Sequence, residues 1–272
     1  MKCDDCVRFD EVLHSSRGVQ AMRDSNIRAR VEVEANIHRK MIKDDRQVIA
    51  NRTAAADRAK ADGTPVRFVF MSADAANQNG MAVLAEWPPT HGGGRGHRER
   101  QKCMGVSIEG QSADMYMAPL TLNSCSNLVC TALHLSLTRL FDNVCKDGDP
   151  RYIDFLHLQV DNCVGENKNN VIITFFSTLV AREVIGTVEV NFMRVGHTHI
   201  KIDQIFSRFA EGVRGRNIFT RSQQCGILKA SYTNAPVNVV CLRNLGNSRP
   251  CSSLLLTGSQ TSRSREDSVL CV

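Results

Sequence analysis

The sequence predicts an α/β fold, a mixed sheet flanked by helices, with a helical segment before it and an irregular tail after it. Three observations predict it. Short apolar, β-prone runs such as Val66 to Ala73 and Phe155 to Val160 punctuate the chain. After residue 120 these runs alternate with helical spacings of Leu, Ile and Phe, whereas before it three of them follow one another directly. Two of the apolar runs also end on an aspartate, Asp74 and Asp161.

Residues 1–18 open with Cys3-Asp-Asp-Cys6 and continue as a polar stretch to Gly18. Residues 19–62 lack proline, and Ile27, Val31, Met41 and Val48 recur on one helical phase, with His38 and Ala55 close to it. That stripe is thin, so the helix must dock on something else. Gly63-Thr-Pro65 ends it. Val66 to Ala73 is a buried strand, residues 79–101 a polar loop, Lys102 to Glu109 a second strand and Asp114 to Ala118 a third. Leu128, Leu133, Leu137, Leu140 and Phe141 mark a helix over 126–144. Phe155 to Val160 is a fourth strand, and Lys168 to Ala181 is a helix with Ile172, Phe175, Phe176 and Leu179 on one face. Thr187 to Met193 is a fifth strand, and a last helix runs over 200–213.

The order is β-β-β-α-β-α-β-α. An antiparallel meander followed by right-handed crossovers yields a mixed sheet covered on both faces, which is the order of the ribonuclease-H-like fold. Three parts follow: a Cys-x-x-Cys and helical segment (1–62), a ribonuclease-H-like core (63–214) and an irregular, partly disordered tail (215–272) rich in Asn, Ser, Arg and Thr.

Composition narrows the function classes. The 272 residues are 42% hydrophobic and 23% charged, as expected of a globular chain that can bury a core. A net charge of +6 favours polyanionic partners only weakly. No apolar run is long enough to span a bilayer, so no membrane role is expected. The polar start carries no signal-peptide core, so the expected location is intracellular, and nuclear if the substrate is genomic DNA. Eleven cysteines, an odd number, argue against a closed disulfide framework. Most, such as Cys130 and Cys145, read as small packing residues. Cys3 and Cys6 are half of a zinc site, with His14 and His38 as distant candidates to complete it.

In an open α/β sheet, ligands gather at the carboxyl ends of strands. Asp74 and Asp161 share one rim if their strands are neighbours, and Asp203, in the first turn of the last helix, can swing over the same rim. Converging carboxylates repel unless a cation lies between them. Oxygen ligands suit Mg²⁺ or Mn²⁺, which would activate a water or hydroxyl and stabilise the leaving oxygen of a phosphodiester. The bland alternative is that each aspartate is a turn former or cap.

In the polar run 161–170, Asn162 and Asn167 could orient Asp161 or bond a phosphate, and Lys168 could offset substrate charge. Helix capping is the simpler role for Glu166 and Asn167. His199, four residues before Asp203, and His197 are candidates for proton transfer or substrate binding. The run does not fit the metallo-β-lactamase pattern of zinc hydrolases. The basic loop Arg95 to Lys102 could contact a phosphate backbone but has no aromatics for base stacking.

The runs Leu158-Gln-Val-Asp-Asn-Cys-Val-Gly-Glu-Asn-Lys-Asn169 and Phe192-Met-Arg-Val-Gly-His-Thr-His-Ile-Lys-Ile-Asp-Gln-Ile-Phe-Ser207 resemble the paired motifs of an uncharacterised, transposon-derived, integrase-like family, domain of unknown function 7869. Ser72-Ala-Asp-Ala-Ala-Asn-Gln78 and Lys2-Cys-Asp-Asp-Cys6 resemble its earlier segments, so the likeness covers about residues 1–210. The resemblance implies an integrase-like core with Asp74, Asp161 and Asp203 as its acidic site. It supplies no substrate. Ala75, Asn77 and Lys201 depart from the family pattern, where Gly or acidic residues are usual. The expected function is a divalent-metal-dependent nuclease or strand-transfer domain acting on DNA. The alternative is a non-catalytic nucleic-acid-binding or interaction module derived from a transposase.

Overall fold

The computed structural model describes residues 3–14, 25–61, 67–76, 82–83, 99–119, 126–144, 153–192, 201–232 and 237–242. The elements are α1 (Asp4–His14), α2 (Ser25–Ala61), β1 (Phe68–Ala75), β2 (Ala82–Val83), β3 (Glu99–Ile108), β4 (Ser112–Pro119), α3 (Ser126–Val144), β5 (Ile153–Val160), α4 (Asn170–Ala181), β6 (Ile185–Phe192), α5 (Lys201–Val213), α6 (Arg221–Ser231) and β7 (Val237–Cys241).

Six strands lie in the order β6-β5-β1-β3-β4-β7, and β2 adds to β3. β1, β3 and β4 form the antiparallel meander, whose β3–β4 turn uses Gly110 at φ 73°. β5 and β6 add in parallel beyond β1. This is the ribonuclease-H-like arrangement that the element order predicts.

Alternation along the strands divides the molecule into two layers about the sheet. Val69, Met71 and Ala73 of β1, Met104, Val106 and Ile108 of β3, and Leu156, Leu158 and Val160 of β5 share one core with Leu133, Leu137 and Leu140 of α3 and Ile172, Phe175 and Phe176 of α4. Cys130 is buried in the same core, as its packing role predicts, while Cys145 lies outside the described residues. The opposite face carries α2, α5 and α6. There Met115 and Met117 of β4 pack with Ile205, Phe209 and Leu228. Continuous apolar runs in β1 and β5 follow from this double coverage.

Three expectations need correction. The region after 215 is not uniformly irregular: α6 packs on α5, and β7 pairs in parallel with β4. The run Val237-Asn-Val-Val240 reads as a weak strand despite the polar composition around it, and β7 forms there, whereas the capping box at Thr220–Gln223 is the local mark of α6. The remaining tail, 243–272, lies outside the described residues. The 79–101 loop contains β2 and the start of β3. Finally, the docking stripe of α2 is not the one the sequence suggests. Ile27, Met41 and Val48 are exposed, whereas Ala35, Ile42 and Ala56 are buried. Small alanines let the helix approach closely, and alanine carries little weight in a hydrophobic stripe.

α2 reaches the sheet through its second half. Arg52 bonds the buried His157 of β5 and both carboxylate oxygens of Glu189 on β6, each at 3.0 Å. Burial and the Arg52 charge lower the His157 pKa. A neutral imidazole can therefore accept from the guanidinium. No helix among the described residues is long and apolar enough to cross a membrane.

Candidate acidic site at the carboxyl rim of the sheet

The decisive geometry is the pairing of β1 with β5. The two strands are parallel, with Ala73 opposite Val160. The next residues are Asp74 and Asp161, so both leave the same rim on neighbouring strands. Both also follow the alternation of Ser72 and Gln159, and so point to the face covered by α2 and α5 rather than into the α3–α4 core. Two acids 87 positions apart are thereby brought to about one strand spacing, ~4.8 Å between backbones.

Asp203 comes from above. The first turn of α5 lies over β3 at Gly105, the residue paired with Asp74. A Cβ at Gly105 would sit 2.8 Å from Ile202 Cγ2 and 3.1 Å from Phe206 Cζ. The glycine therefore permits the close approach that carries Asp203 to the rim. Gly105→Ala is expected to cost about 1–2 kcal/mol in unfolding experiments, because α5 must move or repack. It should also weaken whatever Asp203 holds.

The electrostatics agree with this convergence. Burial pushes the Asp74 carboxyl up to about 7, opposed by the Ala75 amide, which donates to Oδ1 at 2.8 Å. The charges of Asp203, Asp161 and Glu166 push it further up. Glu166 is itself raised, by burial and then by Asp161, while Lys102 lowers it. Four carboxylates thus act on one locus, and Glu166 is the member the sequence reading assigned to capping.

That capping role belongs to Asn169, whose Oδ1 accepts from the amides of Val171 at 3.0 Å and Ile172 at 3.3 Å. Its Nδ2 donates to Ser126 Oγ and Val164 O, which ties the loop to α3. Asn167 is instead buried and donates through Nδ2 to Asp161 Oδ1. The Asn-rich run offers several equivalent caps, so spacing alone could not choose among them. Among the described residues, the buried Asn167 Oδ1 has no hydrogen-bond partner.

Behind the acids runs a polar row that the sequence reading did not single out. Ser107, Ser72, Gln159 and Asn191 stand side by side across β3, β1, β5 and β6. Asn191 Nδ2 donates to Gln159 Oε1 at 3.2 Å, while Ser72 Oγ, Ser107 Oγ and Gln159 Nε2 are buried without partners among the described residues. Orphaned polar atoms of this kind call for water or an ion. The signal in the sequence is Ser72 and Gln159 within otherwise apolar strands.

The remaining candidates fall as follows. Asn162 is exposed beside Asp161, and Lys168 is exposed with Nζ 5.5 Å from the centre of the Phe192 ring. His197, His199 and the basic residues 95–98 lie outside the described residues. Lys201, a departure from the family pattern, pairs with the buried Glu109 at 3.2 Å. Cys3 and Cys6 lie at the start of α1, which packs on α2.

No curated protein matches the chain. Among solved structures, it is similar to the Mos1 transposase paired-end complex with left transposon end, at 13% identity and a TM-score of 0.35. That alignment covers 66% of this chain and 52% of the transposase, so the chain spans about half the length of that protein. The family model described as "Domain of unknown function (DUF7869)" matches residues 98–254, more than half of the chain. The match takes in Asp161, Asp203 and both motifs, and it extends past β7 beyond the 1–210 span of the motif resemblance. The chain belongs to the DUF7869 family.

Proposed function

We propose that this chain is a transposase-derived phosphoryl-transfer domain that acts on DNA with Mg²⁺ or Mn²⁺ held by Asp74, Asp161 and Asp203. The observation that carries the reading is the placement of Asp74 and Asp161 at matched positions on adjacent parallel strands, facing one way. The residues fit such an ion. The donor set is hard oxygen, three to four carboxylates share one locus, and an unpartnered buried amide oxygen, Asn167 Oδ1, lies on the residue that holds Asp161. The ion would supply Lewis-acid stabilisation of a phosphodiester and a more acidic attacking water.

The chain's own residues have separate tasks. Asn167 fixes the Asp161 carboxylate, leaving its other oxygen for a ligand. Glu166 adds charge at the rim and is restrained by Lys102. Asn162, beside Asp161 in the chain, and Lys168 are both exposed and would bond an approaching phosphate. His199 and His197 are proposed to assist proton transfer and substrate binding. A groove on α2 lined by Arg39, Lys43 and Arg46 offers further contacts for a DNA backbone.

Two measurements test the reading. Millimolar Mn²⁺ should raise the melting temperature, because a ligand that binds only the folded chain stabilises it. The same ion should support nicking of supercoiled DNA. Absence of both would assign the chain to the non-catalytic nucleic-acid-binding module instead.

The raised Asp74 pKa yields a signed prediction for the metal-free protein. Its folded value, about 7, exceeds its ordinary value of 3.8. The linked stability is therefore fully present below the unfolded pKa, declines as pH rises, and is lost above about 7. Asp74→Asn should flatten this dependence. Without added metal, it should be more stable than the parent at pH ~8 by on the order of 2 kcal/mol, measured by denaturant unfolding.

A further inference from the structure

We propose that Cys3, Cys6 and His38 form a zinc site that staples α1 to α2, separate from the acidic rim. The three ligand atoms lie within 4.8 Å of one another, although His38 is more than 30 residues from either cysteine. Cys3 Sγ is 3.3 Å from His38 Nε2, and Cys6 Sγ is 3.5 Å from the same nitrogen. Zinc bonds of ~2.3 Å to sulfur and ~2.0 Å to nitrogen at tetrahedral angles separate S and N by about 3.5 Å. The donors are thus spaced to receive an ion with little rearrangement.

Several features prepare the cluster. Cys3 directly precedes α1 and Cys6 lies in its first turn, so the x-x spacing brings both sulfurs to one side of the helix end. The Cys6 amide donates to Cys3 Sγ at 3.2 Å and holds that sulfur at the helix end. Phe9, one turn on, meets the His38 ring with centroids 5.7 Å apart and fixes its orientation.

The packing explains why an ion is needed there. Among the described residues, the α1–α2 contact buries Phe9, Leu13 and Ala35, with Val31 partly covered. So few side chains do not offset the ordering of a helix pair, and small units of this kind use metal ions or disulfides as staples. A Cys3–Cys6 disulfide would not join α1 to α2, whereas an ion shared with His38 would. Among the described residues the cluster has three ligands. A solvent molecule would complete the tetrahedron.

The test uses the full chain purified under reducing conditions. Elemental analysis should find about one zinc per chain, retained in Asp161→Asn and lost in Cys6→Ser and His38→Gln. The Cys6 and His38 variants should bind zinc at least about 100-fold more weakly than the parent. A second readout needs no variant. Co²⁺ added to the demetallated chain should give thiolate-to-metal charge-transfer absorption and tetrahedral d–d bands, which the oxygen ligands of the acidic rim cannot produce. Substoichiometric zinc together with a Co²⁺ spectrum lacking the sulfur band would overturn the proposal. So would zinc retained by Cys6→Ser or lost by Asp161→Asn.

Discussion

Asp161→Asn should reduce Mn²⁺-dependent nicking by at least about 100-fold and remove the Mn²⁺-induced rise in melting temperature. Residues that merely orient a metal ligand cost 10–100-fold when altered, so loss of a ligand's charge should cost no less. The amide keeps the shape of the carboxylate and can still bond Asn167, so the fold should survive. The metal-free variant should match or exceed the parent in stability at neutral pH. One of the charges that raise the Asp74 pKa is gone, so that carboxyl should titrate lower than about 7. These effects separate a metal-ligand role from a structural one, because loss of a turn-forming aspartate would lower stability and leave the response to Mn²⁺ unchanged. Nicking by Asp161→Asn at the parental rate would remove the acidic rim from the chemistry.

The rim itself was legible in the sequence because two kinds of signal coincide there. Apolar runs mark β1 and β5, and each run ends on an acid, so parallel neighbours must bring Asp74 and Asp161 together. The first turn of α5 was legible from Ile202, Ile205 and Phe209, which recur at helical spacing and are buried. What brings that turn down was not legible. Gly105 within an apolar strand gives no indication of which helix approaches it. Glu166 was hidden because a carboxylate near a helix start suits the helix dipole as well as it suits a metal site. Its placement follows from the backbone of the turn, where Asn167 and Lys168 amides donate to Cys163 O at 2.8 and 2.9 Å. His38 is a third kind of case. It was only a distant zinc candidate on the suspected helical phase, and the return of α2 past α1 is what brings its Nε2 to 3.3 Å from Cys3 Sγ. β7 was legible only as a weak strand at Val237 to Val240, since its half-buried residues sit at the sheet edge where hydrophobic patterning is weak.

Arg139→Met should destabilise the fold by about 3 kcal/mol at neutral pH, the largest stability effect expected of a single change away from the rim. Asp114 of β4 is 1% exposed and faces α3, where the Arg139 guanidinium meets its Oδ1. Asn238 Nδ2 of β7 donates to the same oxygen at 2.8 Å, and Tyr116 Oη, itself 2.7 Å from Ser136 Oγ, lies 3.5 Å from Oδ2. A buried carboxylate stripped of its cation keeps two neutral donors, which do not offset the loss of the charge partner. Methionine retains the aliphatic stem, so lost packing contributes little. The guanidinium is 31% exposed, so the converse change, Asp114→Asn, leaves a cation that can turn to solvent and should cost less. The double variant should therefore recover part of the loss, and denaturant unfolding of the four proteins measures the coupling. Because Asn238 shares the same oxygen, the Arg139 variant should also loosen β7, with faster amide exchange at Val239 and Val240 than at β1. A cost below about 0.5 kcal/mol for Arg139→Met would mean that the Arg139–Asp114 pair contributes no net stability. The hold on the β4–β7 edge would then rest on the hydrogen bond that Asp114 accepts from Asn238.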